Sequence, residues 1–259
     1  MRLGSGVDFK GTQDDLERLQ ALAEAGCQYV QPSVSCLHLQ SDPADYYAVR
    51  RAFHRACVAP EVFSWVMPAT MPVVGDEVNW RAVEKYVALL LDRVEELGAT
   101  TIALGRLARL PMPSGYPHDD ATGQLRYLMN MAADYAGTVT IALGPGLLGP
   151  VAPLADLHDA VDFLRELGRP EVRLLLESDA AVGLGPVTEQ ADDTGDLLHH
   201  IHWIPPDDQG AEPEVGFPAQ FADLRQASAY DGRFTILAGP TADHDHALAL
   251  LKAMGQLLQ

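Results

Sequence analysis

Apolar and polar positions along the chain fall into two alternating rhythms. Val83, Tyr86, Val87, Leu90, Leu91, Val94 and Leu97 recur every three or four residues, which predicts one apolar stripe along a helix. Gly98 then supplies a residue free to take positive φ and end it. The next stretch, Thr100 to Leu104, is short, β-branched and apolar. It predicts a buried strand.

The same pair of rhythms recurs along the rest of the sequence. Leu16, Leu19, Leu22 and Ala23 predict a helix before a strand from Gln28 to Val34. Val49, Ala52, Phe53 and Ala56 precede Val62 to Met67. Leu125, Leu128, Met129, Ala132 and Tyr135 precede Val139 to Leu143. Leu157, Ala160, Val161, Leu164 and Leu167 precede Val172 to Leu176. Phe221, Leu224 and Ala227 precede Phe234 to Leu237, and a last helix carries Leu248, Leu251 and Met254. Leu3 to Asp8 and His199 to Ile204 bring the predicted strands to eight.

Alternation of this kind implies a parallel sheet with helices outside it. Spread over 259 residues, eight units take about 32 residues each, which leaves no room for a second domain. The expectation is a single (β/α)₈ TIM barrel over residues 1–259. No G-x-G-x-x-G follows the first strand, which disfavours the doubly wound alternative. Barrel chemistry belongs at the strand C-terminal ends. Here those ends read Asp8, Gln31, Met67, Gly105 with Arg106, Gly144, Glu177, His202 and Ala238.

Charge and cysteine usage narrow the field further. The chain carries 36 Asp and Glu against 18 Lys and Arg, a formal charge of −18. An acidic surface repels phosphate backbones, so nucleic acid is not an expected partner. Cys27, Cys36 and Cys57 have no disulfide-framework or zinc-ribbon spacing. No apolar run reaches the roughly 18 residues that a membrane span requires, and MRLGSGVDFKG does not read as a signal peptide. The expected location is the cytoplasm.

Five segments carry a family resemblance. Gly26-Cys27-Gln28-Tyr29-Val30-Gln31 is similar to a second strand ending in Glu, with Gln31 in its place. Val74-Gly75 before the helix with Tyr86-Val87 and the loop Gly105 to Tyr116 match two further segments. Ala132 to Pro145 and Gly195 to His202 match the last two. In that order they resemble the sugar isomerase/epimerase superfamily with the xylose-isomerase-like barrel, which includes the endonuclease IV group. The resemblance implies a divalent ion, Mn²⁺, Mg²⁺ or Zn²⁺, held by Glu, Asp, His and Glu on strands five to eight. The matching positions here are Gly144, Glu177, His202, and Leu237 or Ala238. Two of the four carry a side chain able to coordinate.

Glu177 and His202 are the candidate catalytic residues. They read as a weak metal site, as a carboxylate–imidazole acid/base pair, or as an inherited ion pair that binds nothing. Alternation points His200 and His202 to one face and His199 to the other. Trp203 offers a ring for a sugar or for the core. Arg109 could hold an anionic group through its guanidinium fork, or anchor the Arg106 to Asp120 loop. Gln31 and Asp8 offer polar contacts to a hydroxyl. Thr241 to His246 reads as a replacement metal site or as a helix N-cap.

Three functions follow from the sequence. The first is a sugar or sugar-phosphate isomerase/epimerase with an altered site and a weak metal or none. The second is a non-catalytic barrel binding a small polyol or a partner. The third, an endonuclease-IV-like phosphodiesterase, is opposed by the charge and by the missing ligand cluster.

Overall fold

The computed structural model describes residues 2–105, 110–147, 154–177, 194–204, 230–237, 248–249 and 251–252. Eight parallel strands make one sheet, in the order β2-β1-β8-β7-β6-β5-β4-β3. They are β1 (Arg2–Val7), β2 (Tyr29–Pro32), β3 (Val62–Ser64), β4 (Thr101–Leu104), β5 (Thr140–Leu143), β6 (Val172–Glu177), β7 (Leu198–Trp203) and β8 (Arg233–Ile236). The β2 and β3 edges meet through single bridges, Val30 to Pro60 and Ser33 to Ser64, so the sheet nearly closes. This is a single (β/α)₈ barrel.

Five helices are described in full: α1 (Gln13–Glu24), α2 (Pro43–Arg55), α3 (Trp80–Glu96), α4 (His118–Tyr135) and α5 (Leu157–Leu167). Side-chain caps start four of the five, α4 being the exception. Thr12 and Asp15 form a reciprocal capping box at α1, and Asp42 caps α2 with Pro43 at its first position. Gly98 follows α3 at φ +76°, the left-handed geometry expected of a residue without Cβ. The helix predicted around Leu224 lies outside the described residues. Leu248 and Leu251 are helical.

Two separate cores result. The larger lies between sheet and helices, where Val83, Val87, Leu90, Leu91 and Val94 bury the stripe of α3. The smaller fills the barrel axis with Tyr29, Val62, Ala103, Ala142 and Leu175, one residue each from β2 to β6. Adding a Cβ at Gly4 would bring it within 2.3 Å of the Tyr29 ring. A glycine on β1 thus makes room for a tyrosine on β2. At the opposite end from the strand C-termini, Glu61 accepts from Arg233 Nε at 2.9 Å and pairs with Arg2. That ties β1 and β8 to the start of β3 on either side of β2.

One register detail departs from simple alternation. β6 and β7 pair as Leu174 with Leu198 and then Leu175 with His200, so His199 is an extra residue in the ladder. Such a bulge re-aims side chains. His199 Nε2 lies 3.0 Å from Thr101 Oγ1 on β4, a strand that is not a neighbour of β7. The contact runs through the barrel interior, and the expectation that His199 faces away from His200 is corrected.

Candidate active site

Two residues further along each strand, a second ring crosses the axis. It contains Gly6, Gln31, Ser64, Gly105, Gly144, Glu177, His202 and Leu237, and it faces the strand C-terminal ends. Three of the eight are glycines, and larger neighbours use the space they leave. A Cβ at Gly105 would stand 2.5 Å from Glu177 Oε1, and one at Gly144 would stand 3.4 Å from Glu177 Oε2. Leu237 covers Gly6 in the same way, at 2.7 Å. Glu177 therefore lies over the position where the resemblance expects a strand-five ligand.

Glu177 and His202 are opposite each other on β6 and β7. Glu177 is 1% exposed and His202 2%, and His202 Nδ1 lies 3.4 Å from Glu177 Oε1. The structure brings together the two predicted catalytic residues. Gln31 joins them from β2, 171 residues away in sequence, with its Nε2 at 2.9 Å from His202 Nε2. That amide nitrogen also donates to Ser64 Oγ at 2.8 Å. On its other side Gln31 Oε1 lies 3.1 Å from His200 Nε2, which lies 3.0 Å from Thr235 Oγ1. Tyr29 OH continues the chain to Thr235 Oγ1 at 2.9 Å.

The result is one hydrogen-bonded line from Tyr29 in the inner ring to Glu177 in the outer one. Polar groups this deep need partners, because a buried unsatisfied group costs about 1–3 kcal/mol. Burial holds the pKa of His200 well below the usual histidine value, with the neighbouring His202 and His199 adding to the effect. His200 is therefore neutral. Burial likewise pushes His199 down to about 4, with Arg233 and Arg173 contributing.

Of the other predicted residues, Gln31 joins the pair while Asp8 and Trp203 stand apart from it. Asp8 follows β1 with its side chain 75% exposed, 3.3 Å from Lys10 Nζ. Trp203, at the end of β7, is buried in the larger core. Gln31 has its amide directed at Ser64, His200 and His202. Arg109, Ala238 and Thr241 to His246 lie outside the described residues. Sequence reasoning missed Ser64, Thr235 and Tyr29. Tyr29 stands two residues before Gln31 and Thr235 two before Leu237, so phase was their signal. Ser64, three residues before Met67, had none.

The donor set can be tested against a divalent ion. Hard cations need several oxygen ligands, and zinc sites use three or four N, O or S donors. Among the described residues no group of three His, Cys, Asp or Glu could hold a metal. Gly144 has no donor and Leu237 lies on Gly6. Both His202 nitrogens have hydrogen-bond partners. The described residues do not fit the four-ligand site that the resemblance implies.

No family model matches the sequence, and no curated protein matches it. Solved structures match along the whole chain. D-psicose 3-epimerase from Clostridium cellulolyticum H10, a structure with D-tagatose, superposes at TM-score 0.76 with 14% identity, covering 100% of both chains. The 3-keto-D-glucoside 4-epimerase YcjR from E. coli gives 0.75 and 17%, covering 100% of this chain and 99% of that one. An AP endonuclease, family 2, from Brucella melitensis gives 0.70 and 17%, covering 97% and 98%. The chain has the fold these proteins share, a (β/α)₈ barrel. Among the described residues no helix is long and apolar enough to cross a membrane.

Proposed function

We propose that this chain is a sugar isomerase or epimerase whose altered site uses the Glu177–His202 pair without a divalent ion. The observation that carries this reading is the Glu177 carboxylate, bonded to His202 and lying over the bare backbone of Gly105 and Gly144. A carboxylate held over backbone that carries no side chains can remove a proton from the carbon next to a carbonyl. The C–H electron pair forms the C=C bond of an enediol while the proton of the adjacent hydroxyl passes to the former carbonyl oxygen. Glu177 then returns its proton to the neighbouring carbon on the same face. His202 donates to the carboxylate and holds its orientation. Substrate contacts fall to Asp8 and Arg109, because the amide of Gln31 is committed to its neighbours and Trp203 is committed to the core.

The substrate class is a small sugar or polyol. Relatives in fold are epimerases of such molecules, and the −18 charge disfavours polyanions. Cys27, Cys36 and Cys57 are all free thiols, which supports a reducing, cytoplasmic location. A second reading, a barrel that binds a polyol without turning it over, is favoured by the burial of Glu177 and His202.

Incubation with D-allulose, D-tagatose or D-fructose in D₂O and EDTA separates these readings. The expected result is deuterium on the carbon beside the carbonyl, reduced roughly 10²–10⁴-fold in Glu177→Gln. Loss of exchange in EDTA would overturn the metal-free site. Binding by calorimetry with no exchange would select the second reading.

A further inference from the structure

The hydrogen-bonded line through Gln31 has a direction, and His200 sets it. His200 is fully buried, and its Nδ1 has no hydrogen-bond partner among the described residues. A bare ring lone pair is tolerated there better than an N–H with nothing to receive it, since buried orphan N–H groups are rare. The single proton of His200 accordingly sits on Nε2, beside Gln31 Oε1 at 3.1 Å and Thr235 Oγ1 at 3.0 Å. Gln31 Oε1 is then an acceptor, and its two N–H groups point the other way. One donates to Ser64 Oγ at 2.8 Å and one to His202 Nε2 at 2.9 Å. His202 Nε2 must accept, so the proton of that ring stands on Nδ1, toward Glu177 Oε1 at 3.4 Å.

We propose that Gln31 is a positioning residue that holds His202 in its Nδ1–H form, so that the imidazole always faces Glu177 as a donor. The role in turnover rests on the acid–base pair proposed above. Only an amide suits this place, because it accepts from one histidine and donates to the other. A carboxylate offers acceptors alone. With Glu at position 31 the neutral His202 ring would carry its proton on Nε2 and turn a bare Nδ1 toward Glu177. The competing arrangement uses the 3.2 Å approach of His202 Nε2 to Gln31 Oε1. It makes that oxygen receive two donors and leaves neutral His202 with nothing to give Glu177. Which nitrogen carries the proton is set by what the other one bonds.

Long-range ¹H–¹⁵N correlation on the whole chain labelled with ¹⁵N-histidine reads this directly. Spectra are taken above the histidine titration range, and His202 is assigned by its loss in His202→Gln. The wild type is expected to show a bare Nε2 and a protonated Nδ1 at His202. Gln31→Glu is expected to move the proton to Nε2, and Gln31→Met to give an averaged mixture. A wild-type ring protonated on Nε2 overturns the proposal, and needs no variant to fold. So does a His202 signal unchanged in a folded Gln31→Glu. In the deuterium exchange assay Gln31→Glu should lower kcat at least tenfold with KM unchanged, and an unaltered kcat removes the role in turnover. A wild type that exchanges no ketose overturns the acid–base reading, while the spectrum still decides the tautomer.

Discussion

Two rings cross the barrel axis, and they solve one packing problem in opposite ways. In the inner ring the small residues Ala103 and Ala142 on β4 and β5 face Tyr29 and Leu175. In the outer ring Gly105 and Gly144 occupy the same two strands and lie under Glu177, which shares its ring with Gln31 and His202. Both rings put little volume on β4 and β5 and much on β2 and β6. One fills the vacancy mostly with hydrocarbon, where the Tyr29 hydroxyl needs a partner and has Thr235. The other fills it with polar groups, each of which needs a partner. A hydrocarbon ring is held by volume, and a polar ring by the completeness of its hydrogen bonds.

The largest expected effect tests the inner ring. Leu175→Ala removes a buried side chain among residues that cannot close in, and should cost about 2–5 kcal/mol in denaturant unfolding. A loss below about 1 kcal/mol would mean that the ring relaxes freely and is not held by volume.

Next comes acid, acting on the bulge histidine near the inner ring. His199 has its pKa pushed down to about 4 in the fold, against about 6.5 unfolded. The unfolded chain therefore binds more protons between those values. Stability rises with pH across that window and is lost as pH falls through it. The loss amounts to roughly 3 kcal/mol when complete. His199→Gln should flatten the fall of Tm between about pH 6.5 and 4. A slope unchanged in that variant would place the acid sensitivity elsewhere.

The smallest effect probes the outer ring. Gly105→Ala puts a methyl against Glu177 Oε1 and Leu175, and overpacking of this kind costs about 1–3 kcal/mol. In a Glu177→Ala background most of that cost should vanish, because the carboxylate that occupied the space has gone. Equal costs in both backgrounds, measured as a double-mutant cycle, would show that Glu177 does not depend on the glycine.

Most strands were readable because they are short apolar runs between turn residues, β1 and β7 being more polar, and the five helices because each buries one stripe. Glu177 and His202 were readable as candidates because barrel strands end in chemistry. Gln31 was read as a contact for a sugar, since a polar strand end looks the same whether it faces substrate or a neighbour. Gly144 was read as a lost ligand. Nothing in its own segment says that Glu177 covers it, because Glu177 comes from the next strand and reaches it only when the ladder is in register. The inward turn of His199 is hidden for the same reason. A bulge is a property of two paired strands, and the β7 sequence alone shows only alternation.

What the sequence determined by itself was the alternation of strands and helices, and hence the barrel and the end of it where the candidate site lies. Those properties follow from local periodicity and chain length. Tertiary structure alone decided that Tyr29, Thr235, His200, Gln31, His202 and Glu177 form one line of hydrogen bonds. These bonds join strands far apart in the chain, at separations no local pattern records. They form because closing the barrel buries these polar groups together, and in a dry interior each must find its partner among the others.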